Sequence, residues 1–392
     1  MKTLHQSPTD PDFVQNPYPF YDAARADGAL HFWADYNMVA AFSHEAVQTL
    51  LKDRRFGREI PAEQATPGAD HLAPFYKVEA TSMLDAEPPR HTRLRSLILR
   101  AFTSRQITAM APDITALSHQ LIDAFPNEPF DLIPAYCSQI PVIIIARLLG
   151  VPEDRAPQLL QWSHDMVAMY QASRTRETED AAALASTQFS TFLTDYINSR
   201  RANPKDDLIT RLITAEEDGE KLSTDELIGT CILLLNAGHE ATVHSLANGV
   251  KTLLETNSDR KYLTPNHIAE TAEEIVRYDP PLHMFTRYAY ETVTIFGHTF
   301  QRGDQVALML ASANRDAKTW DNPNQFDPTR AIQTNTSFGG GLHFCVGAPL
   351  ARQELQIALP ILFERCPGLT LTKPSYANTY HFHGLTKLMV TK

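Results

Sequence analysis

The chain has 392 residues, of which 43% are hydrophobic and 21% charged, and its formal net charge is -11. This acidic balance argues against general affinity for nucleic acid or for anionic membranes. The N-terminus has no basic-then-apolar signal pattern, and no apolar run approaches the length of a membrane helix. We therefore expect a cytoplasmic protein without a membrane anchor.

Amphipathic helical patterns dominate the chain, for example over residues 112–124, 141–149, 181–201 and 268–278. The longest predicted helix starts at Ser223, where STDE matches a capping box with Glu226 at its third position, and it runs without proline past Leu254. Between residues 285 and 310 the pattern changes to strand-like alternation. We predict a mainly α fold with a smaller β region, a single domain over residues 1–392, and a long central helix that crosses the molecule.

Four scattered cysteines form no C-x-x-C pair, which argues against zinc ribbons, iron–sulfur clusters and a disulfide framework. One of them, Cys345, lies in the segment FGGGLHFCVG, residues 338–347. Its glycines predict a tight loop that brings the backbone close to a partner and presents a thiol.

Three kinds of site come into question for this loop. A phosphate loop is excluded because no Gly-Lys-Ser/Thr follows the glycines. A nucleophilic cysteine with His343 as its base is an alternative, although side chains at i and i+2 seldom face each other. A thiolate metal ligand fits better, because backbone N–H groups can point at the sulfur and the helix predicted near Ala348 adds its positive end.

Phe338, Gly341, Cys345 and Gly347 match the F-x-x-G-x-x-x-C-x-G signature of the cytochrome P-450 superfamily, the haem-thiolate monooxygenases, and the chain resembles that family. The resemblance implies that Cys345 is the proximal ligand of the iron in haem b, where a thiolate favours O–O cleavage. It also implies that His343 hydrogen-bonds a haem propionate.

Residues 274–277 are similar to the E-x-x-R helix of the family, with Glu274 and Arg277 as its charged pair. Arg330 resembles the arginine that joins the same carboxylate. An isolated pair of this kind is usually a weak surface ion pair, and residues 87–90 give a second match that two prolines keep out of a helix. The position of Glu274 ahead of the cysteine loop implies a charge network that holds the loop for haem insertion.

A haem carries two carboxylates, so we expect cations around them. His91 and Arg95 are spaced i to i+4 in a stretch similar to the C helix of the family, and Arg287 resembles a strand arginine that meets the same group. Each of these alone could equally be a solvated surface cation. Together with His343 they form a set that we predict to hold the propionates.

The segment AGHEAT, residues 237–242, places a glycine and an acid inside the long helix. By resemblance this part of the helix passes over the distal face of the haem and opens a groove for oxygen. Gly238 would let the backbone approach the cofactor, since a helix glycine otherwise costs about 1 kcal/mol relative to alanine. Glu240 resembles the acid that feeds protons toward the reacting oxygen.

The sequence departs from the family pattern directly after this acid, where Ala241 replaces the usual threonine. Thr242 follows, but one helical step of about 100° keeps it from taking over the missing hydroxyl's place. A substrate hydroxyl, an ordered water, or tolerance of peroxide leakage could compensate. Our hypothesis is the first, a substrate with its own polar group near the reacting carbon.

The chain has neither a flavin nor a nicotinamide fingerprint. The resemblance therefore implies O2 as co-substrate and electrons from NAD(P)H through a ferredoxin reductase and a ferredoxin, with no fused reductase domain. Residues 90–105 contain no carboxylate and form either a docking surface for an acidic redox protein or a solvated helix face. Their arginines are Arg90, Arg93, Arg95, Arg100 and Arg105.

The resemblance also places substrate contacts near residues 60–84, in the long helix, after the E-x-x-R helix and near the C-terminus. We expect a mainly apolar pocket for a small organic molecule. Its predicted lining is Phe75, Leu234, Ala237, Leu282, Met284, Phe285 and Phe382. His239, His283 and His381 lie in the same segments, as polar anchors or as structural residues.

The resulting hypothesis is a monooxygenase that oxidises a small, largely apolar molecule. A peroxide-driven or oxidative-coupling enzyme on the same scaffold is an alternative, and so is a non-catalytic haem-thiolate sensor. Glu240 favours catalysis, because a sensor needs no proton route.

Overall fold

The computed structural model describes residues 1–171, 174–215, 219–380 and 382–392, so His381 lies outside the described residues. The α-helices are α1 (Pro11–Gln15), α2 (Tyr18–Asp27), α3 (His44–Lys52), α4 (Ala73–Thr81), α5 (Arg90–Ala101), α6 (Ser104–Ala109), α7 (Ala111–Asp123), α8 (Gln139–Leu149), α9 (Ala156–Val167), α10 (Arg176–Ala202), α11 (Leu208–Thr214), α12 (Thr224–Glu255), α13 (Ile268–Tyr278), α14 (Leu310–Ala313) and α15 (Ala348–Arg365).

The strands are β1 (Thr3–Leu4), β2 (Leu30–Trp33), β3 (Met38–Ala41), β4 (Phe56–Gly57), β5 (Phe130–Asp131), β6 (Met284–Ala289), β7 (Val293–Ile295), β8 (His298–Phe300), β9 (Gln305–Met309), β10 (Thr370–Leu371), β11 (Ser375–Tyr376), β12 (Leu385–Lys387) and β13 (Met389–Thr391). The largest sheet has the order β1-β2-β3-β9-β6-β4, with β3 and β9 parallel and β6 and β9 antiparallel. The predicted mainly α fold with a smaller β region is confirmed, and β6 to β9 form the predicted strand region.

The predicted long helix is α12, which has 32 residues and is therefore about 48 Å long. Its N-terminus is held by the predicted capping box: Glu226 N–H donates to Ser223 Oγ, and Ser223 N–H donates to the Glu226 carboxylate over 2.8 Å. Helices α4, α8, α9, α13 and α15 all pack against α12. Its apolar residues lie in the main hydrophobic cluster, so the helix runs through the centre of the helical part of the molecule.

Two smaller apolar clusters lie on the two sides of the large sheet. One contains Leu50, Phe56 and Phe300, and the other is built around Trp33 and further aromatic rings. Among the described residues, no helix combines the length and the apolar character that crossing a bilayer requires.

Candidate functional site

The loop before α15 adopts backbone conformations that favour glycine. Gly339 and Gly341 have φ values of +70° and +63°, and a methyl group at Gly341 would come within 2.5 Å of the Leu51 carbonyl oxygen. The Cys345 N–H donates to the Phe338 carbonyl over 3.0 Å. These constraints fold residues 338–347 into a compact turn that ends at the start of α15.

The turn presents the sulfur of Cys345 to backbone donors. The N–H groups of Gly347 and Ala348 point at it. Burial among surrounding atoms raises the pKa of the Cys345 thiol, although one side of the residue is open to solvent, and the two N–H groups with the Arg95 guanidinium act in the opposite direction. An electron-accepting ion on the open side would bind the thiolate, which the N–H groups stabilise.

Two basic side chains beside this turn have buried nitrogen atoms without a hydrogen-bond partner among the described residues. Arg287 is buried and uses Nη1 on the Thr286 carbonyl at 2.8 Å, but its Nη2 has no hydrogen-bond partner within the described ranges. His91 Nδ1 is likewise buried without a partner there, and the His91 and His343 rings lie 4.5 Å apart. Such groups fit a ligand that carries two carboxylates, as haem does.

Electrostatics of the same residues agree with an anionic ligand. Burial lowers the pKa of His91 to about 4, and His343 and Arg95 act in the same direction. Burial also lowers the pKa of Arg287 to about 10, assisted by Arg58. Carboxylates between these groups would relieve the repulsion. Arg95 in addition donates to the Phe344 carbonyl over 2.7 Å and so ties α5 to the cysteine turn.

Sequence reasoning missed Glu87 as part of this site. Its carboxylate accepts from the Arg58 N–H over 2.7 Å, and it lies 2.8 Å from His343 Nε2. Burial raises the pKa of Glu87, but the hydrogen bonds with His343 and the Arg58 N–H, together with the charges of His343 and His91, outweigh it and hold the pKa below its usual value. The sequence of residues 87–90 was interpreted only as a second E-x-x-R match. The signal that could have identified Glu87 is an acid followed by two prolines directly before α5.

Glu274 accepts from both predicted arginines. Arg277 contacts it through two bonds of 2.7 Å, and Arg330 through one of 3.1 Å. Arg277 also donates to the Asn314 carbonyl over 2.8 Å, and the Asn314 amide donates to Ser337 Oγ over 2.7 Å. The buried charges are thus linked to the residue that precedes Phe338.

The AGHEAT segment of α12 presents small residues on one face. Ala237 is exposed and Gly238 and Ala241 are partly exposed, within a helix that is buried on both sides of the segment. Residues 224–255 form one continuous helix, so the groove expected from the resemblance is not seen as an interruption. Thr242 is buried and its Oγ1 donates to the Gly238 carbonyl over 3.4 Å, so its hydroxyl does not replace the one missing at Ala241.

Three histidines surround the Glu240 carboxylate. His164 Nε2 lies 2.9 Å from it, His239 Nε2 3.4 Å, and His244 Nε2 3.7 Å. Burial raises the pKa of Glu240, but the contacts with His164 and His239 together outweigh it and hold the pKa well below its usual range. The same contact with Glu240 raises the pKa of His164.

The predicted pocket residues fall into separate groups. Phe75 and Leu234 are buried in the main cluster, and Leu282 pairs with Phe382 through a β-bridge. Phe285 lies against the cysteine turn, where its ring would be 3.2 Å from a methyl group at Gly339. The Met284 side chain lies on the opposite face of β6, in the aromatic cluster around Trp33. Met284 and Phe285 therefore do not line the same pocket.

His283 has a structural contact. It is buried, and its Nδ1 lies 2.9 Å from the Tyr21 hydroxyl.

The five arginines of residues 90–105 do not form one free surface. Arg90 pairs with Glu59 at 3.1 Å, and Arg93 pairs with Glu220 at 3.3 Å and with Glu226. These ion pairs reduce the net positive charge that the two residues offer to a partner, and their role in docking stays a prediction. Arg95 and Arg100 border a shallow depression, and Arg105 is exposed at the start of α6.

Comparison with known proteins gives one consistent result. The family model for cytochrome P450 matches residues 268–385. A biotin biosynthesis cytochrome P450 of Bacillus subtilis (strain 168) is 33% identical over 396 residues, covering 99% of each chain. The vitamin D(3) 25-hydroxylase of Pseudonocardia autotrophica is 35% identical over 390 residues, covering 97% of this chain and 94% of the relative. The solved structure of P450BioI, in complex with acyl carrier protein ligated to hexadec-9Z-enoic acid, is similar with a TM-score of 0.91 at 33% identity, covering 97% and 99% of the two chains.

Proposed function

This chain belongs to the cytochrome P450 family of monooxygenases, and we propose that it hydroxylates a long, largely apolar molecule that carries a polar group near the reacting carbon. The bound haem would supply the activation of O2. The observation that supports this best is the Cys345 sulfur, which has one open side and two backbone N–H groups directed at it.

Each predicted site residue has a task in this proposal. Cys345 binds the iron, and four histidine and arginine side chains around the cysteine turn bind the two propionates: His91, Arg95, Arg287 and His343. Glu240 holds and passes protons on the distal side, where its carboxylate reaches half-exposed His164. The charges of Glu274, Arg277 and Arg330 keep the cysteine turn in place, since Arg277 donates to the Asn314 carbonyl and the Asn314 amide donates to Ser337, which precedes the turn.

The substrate class rests on the relatives and on Ala241. The P450BioI structure holds a hexadec-9Z-enoic acid chain on acyl carrier protein, and another relative is a polyketide biosynthesis cytochrome P450 of Bacillus subtilis (strain 168). The first name states a fatty acyl chain on a carrier protein, and the second states polyketide biosynthesis. We propose a fatty acyl or polyketide chain for this enzyme, bound as the free acid or on a carrier protein, with a substrate hydroxyl or carbonyl in place of the absent threonine hydroxyl.

Electrons are proposed to come from NAD(P)H through a ferredoxin in the cytoplasm. The depression at Arg95 and Arg100 supports a docking surface on the side of the cysteine turn. Leu99 is 45% exposed at its border and Phe344, next to Cys345, is 38% exposed. An apolar centre with arginines around it suits an acidic redox protein.

The test uses the haem-loaded protein. The reduced carbon-monoxide difference spectrum should show the long-wavelength band of thiolate ligation, and the Cys345→Ser variant should lack it. Free fatty acids of graded length should then shift the haem band from low to high spin, and reconstitution with a ferredoxin system should give hydroxylated products. A wild-type spectrum without the thiolate band would overturn the proposal. Spin shifts only with compact aromatic or terpenoid compounds would overturn the substrate class.

Ala241 also supports a second candidate, a peroxide-driven enzyme. Ala241 has no hydroxyl, so a reaction driven by NAD(P)H needs another hydrogen-bond donor to couple electron transfer to substrate oxidation. A reaction driven by peroxide does not depend on that coupling. Comparing initial rates with NAD(P)H plus ferredoxin and with hydrogen peroxide decides between the two. A peroxide rate that exceeds the ferredoxin rate at saturation of both would favour the second candidate.

A further inference from the structure

A compact group of possible metal ligands lies between α9 and α12. It consists of His164, His239 and Glu240, whose ligand atoms all lie within 4.8 Å of one another. His164 is 50% exposed, whereas His239 is 1% exposed. In the part of the chain that the structure describes, the other such group contains Asp279, but the hydroxyls of Tyr18 and Tyr376 already donate to that carboxylate.

The orientation of His239 points to a cation. Its Nδ1 lies 2.8 Å from the Leu235 carbonyl, an acceptor, so Nδ1 carries the ring proton in the neutral side chain. Nε2 is then a bare lone pair, and it has no hydrogen-bond partner among the described residues. This nitrogen lies 3.4 Å from a Glu240 oxygen, without the geometry of a hydrogen bond. Two acceptors this close repel unless a positive charge, either an added proton on the imidazole or a metal ion, lies between them.

Metal-binding histidines commonly show this arrangement. One ring nitrogen donates to a backbone carbonyl, and this bond fixes the tautomer that offers the other nitrogen to the metal. In a tetrahedral zinc site with bonds of about 2.0–2.1 Å, neighbouring ligand atoms are about 3.3 Å apart. The Glu240 oxygen lies 3.4 Å from His239 Nε2 and 2.9 Å from His164 Nε2, and the half-exposed His164 ring can rotate to bring its nitrogen to the spacing that the metal requires.

We propose that His164, His239 and Glu240 form a binding site for a divalent transition-metal ion, with Zn²⁺ as the best match to two imidazoles and a carboxylate. His244, one helical turn after Glu240, lies 3.7 Å from the second carboxylate oxygen and can complete the coordination. The exposed edge of His164 gives the ion a way in from solvent. The haem takes no part in this binding.

Bound metal would change the proposed reaction. An ion on the Glu240 carboxylate removes the lone pairs that would accept and pass protons, so the metal-bound enzyme should oxidise substrate more slowly. This consequence rests on the proposed function of Glu240, whereas the metal site does not.

The test measures binding of Zn²⁺ to the tag-free, haem-loaded protein by isothermal titration calorimetry. Wild type should bind one Zn²⁺ per chain at this site, and His164→Ala should weaken that binding at least about tenfold, since even supporting partners of metal ligands contribute that much. His239→Gln is the second variant, and each variant is checked for an unchanged carbon-monoxide spectrum. His5→Ala removes an exposed histidine elsewhere and should leave the affinity unchanged.

Two results would overturn the site: wild type that binds no Zn²⁺ at equimolar micromolar concentrations, or equal affinity in wild type and in both site variants. Turnover with and without Zn²⁺ is measured separately. Slower oxidation in wild type, with at least about tenfold more Zn²⁺ needed for the same effect in His164→Ala, supports the site and the proton route together. Binding by calorimetry without any effect on turnover supports the site and overturns the proton role of Glu240.

Discussion

At the scale of single residues, Ala241 carries the clearest consequence for catalysis. Thr242 turns its hydroxyl to the Gly238 carbonyl, and Ser245 donates to the Ala241 carbonyl over 2.8 Å. Both hydroxyls are therefore used by the helix itself. Ala241→Thr should raise the fraction of NAD(P)H that ends in product severalfold for substrates without a hydroxyl, and change it little for substrates that bear one.

The measurement is product formed per NAD(P)H consumed, for a pair of substrates that differ only in that hydroxyl. If Ala241→Thr changes the product formed per NAD(P)H equally for the two substrates, or for neither, the substrate does not supply the missing hydrogen bond.

Gly238 allows stability and function to be separated. A methyl group at this position would lie 3.8 Å from Ile145, an ordinary contact, so packing within the chain does not require glycine. Gly238→Ala should stabilise α12 by up to about 1 kcal/mol, and it should reduce turnover, because the added methyl stands on the face that carries Ala237 and Ala241. Thermal midpoints and turnover rates of the haem-loaded variants check both effects.

Gly249→Ala is the matched control on the same helix. There the added methyl would come within 3.2 Å of Ile275, so the substitution should give a lower thermal midpoint than Gly238→Ala. A Gly238→Ala protein with full turnover would show that glycine is not needed for the proposed close approach.

At the scale of elements, local patterns in the sequence were sufficient to predict helix α12 and the start of helix α15. The capping box at Ser223 and Glu226 acts between residues three apart, so the sequence alone contains it. Helix α10 was predicted to begin at residue 181 and begins at Arg176, because Thr175 and Thr178 form a second capping box that was overlooked. The cysteine turn could be predicted because the glycines that shape it lie within the same ten-residue segment, residues 338–347.

Contacts between distant segments were harder to predict. Glu87 meets His343 only after α5 and the cysteine turn have packed together, and Arg93 finds Glu220 and Glu226 across the same kind of distance. The family resemblance predicted that Arg277 and Arg330 share one carboxylate, but it gave no information on the partners of Glu87 and Arg93. No spacing rule along the chain gives such partners, which depend on tertiary packing.

Helix α15 contains a buried acid that should make the stability depend on pH. Glu354 is buried, its Oε1 has no hydrogen-bond partner among the residues described, and burial raises its pKa to about 8 from the ordinary 4.5. Between these two values the folded chain keeps a proton that the unfolded chain releases, so this residue lowers stability progressively as pH rises from about 4.5 to about 8.

Glu354→Gln should therefore raise the free energy of unfolding at pH 8 by a few kcal/mol at most, on the order of the pKa shift converted to energy. The thermal midpoint should rise by a few degrees at pH 8 and by much less at pH 5. Melting curves of the haem-loaded proteins at both pH values and one scan rate give the comparison. Glu364→Gln, an exposed position on the same helix, is the control and should show no such difference. Equal gains at pH 5 and pH 8 would mean that ionisation of Glu354 is not the cause.

At the scale of the whole molecule, the charge distribution decides how electrons would reach the haem. The chain is acidic overall, with a net charge of -11, so an acidic ferredoxin is repelled from most of its surface and needs a local cationic face. Arg90 and Arg93 each share their charge with a carboxylate of the chain, which weakens their contribution to such a face. Arg100 and Arg105 are both exposed, and Arg100 borders the depression together with Leu99.

Reversal of both charges in the double variant Arg100→Glu, Arg105→Glu should raise the KM for ferredoxin by roughly tenfold at low salt, and this difference should shrink as the ionic strength rises, because screening weakens steering. Peroxide-driven turnover should not change, since no partner docks in that reaction. Arg176→Glu, on α10 and outside residues 90–105, is the control for net charge and should leave the KM for ferredoxin unchanged. Equal losses in the two reactions would place the effect in the haem site, and an unchanged KM would move the docking surface elsewhere on the molecule.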